Sequence, residues 1–101
     1  MRNVDPATAA AVRSAARRLA DRHRGKAVEL RVPPYAAVQL GSDSGGPTHR
    51  RGTPPTVVEM DGETFLSLVN GRLTWQEALS THRVSASGAH ADLSRVFTES
   101  P

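Results

Sequence analysis

The side chains best suited to chemistry are concentrated in residues 42–53, SDSGGPTHRRGT. His49-Arg50-Arg51-Gly52-Thr53 sets two guanidinium groups and a hydroxyl beside backbone amides. That set is suited to clamping a carboxylate or phosphate through charge-assisted, bidentate hydrogen bonds. The other reading is a charged loop tip. Ser44 lies in a setting like that of a serine nucleophile, with His49 five residues on. Such a serine needs a base, a carboxylate orienting that base and a preorganised oxyanion hole. Here Ser, Asp and Gly are ordinary turn formers, so no nucleophile is assigned. The four histidines, His23, His49, His82 and His90, have no metal-ligand spacing, and no catalytic residue, cofactor or metal is expected. The glycines of this stretch also lack the order of a phosphate-binding loop.

The elements that would carry these groups are marked by caps and periodicity. Asp5-Pro6 reads as an N-cap followed by proline in the first helical turn. Ala9, Val12, Ala16, Leu19, Ala20 and His23 then recur at helical spacing, with Gly25 as the stop. Alternation predicts strands near 27–32, 35–40 and 55–60, the first two separated by Pro33-Pro34. Residues 41–54 read as a long polar loop, expected to be the most mobile internal segment. Asp61 caps a helix carrying Phe65, Leu66, Leu68 and Val69 and ending at Asn70-Gly71. Thr74 and Glu77 fit a capping box, opening a helix that buries Trp75, Ala78 and Leu79. A strand near 83–87 turns Val84 and Ala86 inward, and Leu93, Val96 and Phe97 fall on a last short helix. The expected fold is α+β, with a four- to five-stranded antiparallel or mixed sheet covered on one face by three to four helices.

One hundred and one residues match one domain, 1–101, with a single core. Cysteine is absent, which excludes disulfides, thiol catalysis and thiolate metal sites. No signal-peptide stretch or transmembrane run is visible, so a cytoplasmic protein is expected. Residues 1–26 hold seven of the thirteen basic side chains but only Asp5 and Asp21 of the ten acidic ones. A basic helix over 6–24 is therefore a candidate face for a protein partner, or simply a solvated surface. Nucleic acid is not favoured, because few aromatic platforms exist for stacking.

Two phrases, VELRVPPYAAVQ (28–39) and HRRGTPPTVVE (49–59), resemble a short actinobacterial branch of the sterol carrier protein type 2 superfamily. Residues 61–97 resemble the same superfamily's run, T-F-x-x-L, G-x-L, A-L and G-x-V-x-x-x-G, leading into a small-residue helix. The resemblance implies a sheet and helices enclosing an apolar tunnel for fatty-acyl chains, sterols or other amphipathic molecules. Carried over by position, it points to Phe65, Leu68, Val69, Trp75, Leu79 and Val84 as tunnel lining. Plain core packing is the other reading of these six. Arg50 and Arg51 would then hold an acidic head group.

Three functions are expected, in descending order. The first is a non-enzymatic, carrier-like binding module for a lipid or amphipathic anion. The second is an interaction or regulatory subunit without a ligand cavity. An enzyme subdomain, by analogy with the C-terminal domains of mycothiol-dependent isomerases, comes last.

Overall fold

The computed structural model describes residues 5–23, 28–40, 56–87 and 93–98. Helix α1 (Pro6–Arg22) starts where expected, with Thr8 donating to the Asp5 carboxylate from both its backbone N–H and its hydroxyl. Val12 and Ala16 on its inner face are fully buried, and the small side chains Ala9 and Ala15 extend that face. Alanine at these positions lets the helix lie close against the sheet. His23 is the C-cap and is half-buried, its backbone N–H donating to the Leu19 carbonyl. The expected stop at Gly25 lies outside the described residues.

Strands β1 (Val28–Val32) and β2 (Ala36–Leu40) form an antiparallel hairpin in which Leu30 faces Val38. The turn between them contains a cis Pro33–Pro34 bond and closes with the Tyr35 N–H donating to the Val32 carbonyl at 2.8 Å. Strand β3 (Thr56–Met60) lies parallel to β1, Leu30 beside Val58, and β4 (Val84–Ser87) runs antiparallel to β3. The sheet is therefore mixed, in the order β2-β1-β3-β4. All four expected strands are present, within a residue of their expected bounds.

Helices α2 (Gly62–Val69), α3 (Trp75–Ser80) and α4 (Ser94–Thr98) complete the α+β fold. Val28, Leu30, Val32, Val58 and Met60 form one buried cluster with Val12, Phe65, Leu68, Trp75 and Phe97. On the opposite face of the sheet, Arg31, Ala37, Gln39 and Ser85 are exposed. Strict alternation along the strands divides them in this way. Phe97 joins the three buried rings, 6.0 Å from Trp75 in a stacked pair and 6.2 Å from Phe65 edge-on.

Two inward assignments are corrected. Leu79 is 40% exposed rather than buried. A six-residue helix presents one corner to the core, and Trp75 with Ala78 fills it. Leu79 lies about 100° round from Ala78. Ala86 is exposed because β4 is the edge strand, and of its four residues only Val84 is buried.

Candidate functional site

Parallel β1 and β3 finish at the same end of the sheet, and the segments leaving the two strands enclose a groove there. After β1 come Pro33, Pro34 and Tyr35; after β3 come Asp61 and the first turn of α2. The space between them has a volume of about 570 Å³, within the usual range for small-molecule pockets. Thr8 of α1 closes one side.

One face of α2 forms the opposite wall. Glu63, Leu66, Ser67 and Asn70 all line the groove, at the three- and four-residue spacing that puts side chains on one helical stripe. Arg72, just past the helix, lines it too. Its position depends on how α2 ends. Gly71 adopts φ +79°, the Gly71 N–H donates to Leu68 O, and the Arg72 N–H donates to Ser67 O at 2.9 Å. These are the paired bonds of a Schellman motif, which uses glycine for its left-handed residue.

The groove wall opposite α2 is fixed by close contact. A Cβ added to Gly62 would stand 2.8 Å from Tyr35 Cε2, so the absence of a side chain at position 62 lets the tyrosine ring lie on the start of α2. Arg13 of α1 donates from Nε to the Tyr35 carbonyl at 3.1 Å and ties the turn to the first helix. At the N-terminus of α2, Asp61 Oδ1 accepts the Thr64 N–H at 2.8 Å. That carboxylate is engaged as a helix cap. Asp5 is likewise engaged, and the hydrogen bond from the Thr8 hydroxyl, with that from its backbone N–H, holds its pKa below the ordinary carboxylate value.

The six apolar residues expected to line a ligand cavity fall elsewhere. Phe65, Leu68, Trp75 and Val84 come together inside the buried cluster, with Val69 half-buried against it and Leu79 exposed. None of the six lines the groove. Arg50, Arg51, Ser44, His49 and His90, and the expected mobile loop 41–54, lie outside the described residues. Thr56, where β3 begins, stands about 16 Å along the strand from Asp61. Among the described residues, no three His, Asp or Glu side chains are grouped to hold a metal, and no helix is long and apolar enough to cross a membrane. Pattern reading along the chain misses the groove because its walls are 27 residues apart, at Tyr35 and Gly62. The local signal is the Pro-Pro-Tyr turn itself, a break that presents two exposed proline rings and a half-buried tyrosine.

The model of the family described as a bacterial SCP ortholog, where SCP denotes sterol carrier protein, matches residues 5–98. The chain belongs to that family. Among solved structures, it is similar to apo sterol carrier protein 2 from Yarrowia lipolytica, at 16% identity and TM-score 0.46, over 84% of this chain and 77% of that one. It is also similar to sterol carrier protein domain 2 of Helicoverpa armigera, at 21% identity and TM-score 0.42, over 88% and 75% of the two chains. Among curated proteins, no sequence matches significantly. The superfamily expected from VELRVPPYAAVQ and HRRGTPPTVVE is thus the one found.

Proposed function

We propose that this protein is a non-enzymatic, carrier-like module that binds a lipid or another amphipathic small molecule in the groove beside α2. The observation that carries this reading is the division of the groove lining. Pro33, Pro34, Tyr35 and Leu66 supply apolar surface, while Ser67, Asn70 and the charged ends of the stripe supply polar edges. A groove that mixes polar and apolar surface in this way suits a ligand of the same double character. Membership of a sterol carrier family supports it. In this reading Phe65, Leu68, Trp75 and Val84 are the packed backing of the site, and Arg50 with Arg51 would hold an acidic head group.

Titration of a fluorescent fatty acid tests the proposal. Saturable binding is expected, falling by about 10-fold or more when Ser67→Trp or Asn70→Trp plugs the groove in a protein with an unchanged circular dichroism spectrum. The Arg50→Ala, Arg51→Ala double variant measures what these two arginines contribute. No saturable binding, or equal binding by the wild type and both plugged variants, would reject the groove as the site.

A second reading, an interaction module, draws on α1, where Arg17, Arg18 and Arg22 are exposed around a single acidic residue, Asp21. Its partner would be an acidic protein surface. Salt-sensitive co-purification that is lost on replacing these three arginines would favour it.

A further inference from the structure

The groove carries opposite charges at its two ends. Glu63 lies in the first turn of α2 and Arg72 just beyond its last, and both line the groove. The stripe from Glu63 to Asn70 alone spans about 10 Å. Neither the Glu63 carboxylate nor the Arg72 guanidinium has an ion-pair or hydrogen-bond partner among the described residues; the ion pair found there joins Arg31 to Glu29 on the other face of the sheet. Their neighbours differ in this respect, since Asp61 is held by the Thr64 N–H and Arg13 by the Tyr35 carbonyl. Both charges also suit the dipole of α2, negative at its N-terminus and positive at its C-terminus. That preference accounts for their signs but not for both facing the same groove.

From this arrangement we propose that the ligand of the groove is a zwitterionic amphiphile, with an ammonium group at the Glu63 end and an oxyanion at the Arg72 end. The inference rests on the groove being the ligand site and specifies which head group it takes. The half-buried Tyr35 ring adds a surface on which an alkylammonium is favoured by the ring's electron-rich face. Arg72 supplies the planar, permanently charged donor that suits a phosphate or carboxylate. Asn70 and Ser67 lie between the charges as neutral hydrogen-bonding groups. Pro33, Pro34 and Leu66 receive the apolar chain. A plain fatty-acid anion satisfies Arg72 but leaves the Glu63 carboxylate facing like charge or nothing, so the groove discriminates against it.

The test compares amphiphiles of one chain length, below their micelle-forming concentrations, by isothermal titration. Dodecylphosphocholine is expected to bind about 10-fold or more tightly than either laurate or dodecyltrimethylammonium. Glycerophosphocholine, which carries the head group without the chain, is expected to bind far more weakly. Glu63→Gln should abolish the preference over laurate, and Arg72→Gln the preference over dodecyltrimethylammonium. Both charges are at the surface, so melting temperatures should barely move. Equal affinity for the three amphiphiles, or a preference untouched by both substitutions, would overturn the assignment while leaving the groove as a lipid site. Glycerophosphocholine binding as tightly as its dodecyl counterpart would overturn the amphiphile and point to a free small zwitterion. If no amphiphile bound, the carrier reading would fall, and the head-group assignment with it.

Discussion

Helix α2 has two faces that do opposite work. Toward the sheet it presents Thr64, Phe65 and Leu68, exposed by 0%, 0% and 1%, with the Thr64 hydroxyl accepting from Arg83 Nε at 3.2 Å. Toward the groove it presents Glu63, Leu66, Ser67 and Asn70, each half-buried or exposed. The core face is held by dense apolar contact, where lost volume cannot be refilled. The groove face is less covered, with Leu66 still packed against the core but Glu63 and Asn70 exposed, so its polar side chains can be chosen for what they bind. An eight-residue helix can serve both purposes because its periodicity separates adjacent residues by about 100°. The two sets of side chains interleave in sequence, and of the groove set Leu66 also packs against the core.

Substitutions that separate the faces put this contrast at risk. The largest effect belongs to the core side. Trp75→Ala removes the ring stacked on Phe97 and should cost about 3–5 kcal/mol, a fall in melting temperature of more than about 10 °C. Leu79→Ala, four residues along the same helix but exposed, should cost under about 1 kcal/mol. Equal losses in thermal denaturation would show that the buried layer is not organised around the aromatic trio.

Gly62→Ala probes the seam between the faces. The new methyl would meet the Tyr35 ring, and the cost should be about 1–2 kcal/mol, as for modest overpacking of a partly yielding site. Because the displaced ring is a groove wall, affinity for an amphiphile should fall further than stability does. Calorimetric titration alongside melting separates the two. A melting temperature that falls with ligand affinity unchanged would remove Tyr35 from the site.

The smallest expected effect has the opposite sign. Helices α2 and α3 end in the same paired hydrogen bonds, the second through His82 N–H to Leu79 O and Arg83 N–H to Ala78 O. The left-handed residue is Gly71 in the first but His82, at φ +60°, in the second. His82→Gly should stabilise the protein by up to about 1 kcal/mol, seen as a rise of a few degrees in melting temperature. A destabilised variant would mean that the imidazole has a contact worth more than the backbone strain. The phrase G-x-V-x-x-x-G, on which part of the family resemblance rests, has glycine at this position, and the φ value supplies the physical reason.

Much of the fold is legible in the sequence because its signals are local. Asp5, Asp61 and the Thr74–Glu77 box bond to backbone groups within three residues. Alternation within β1 and β3 requires only that one face be buried. Leu79 escapes such reasoning because periodicity says which side of a helix is apolar but not how far the neighbouring layer extends to cover it. Ala86 escapes it for the same reason at the sheet edge.

By itself the sequence determined the caps, the strand and helix periods and the family, since each depends on residue type at short spacing or on a continuous phrase. Tertiary structure alone decided that β1 and β3 run parallel and end together. That places a Pro-Pro-Tyr turn against the first turn of a helix beginning 27 residues later. Tyr35 against Gly62, and the Pro-Pro-Tyr turn facing the α2 stripe across one groove, are separations in space between elements packed on a common sheet. No periodicity along the chain encodes such distances, because they are set by how the core closes rather than by the residues that line the gap.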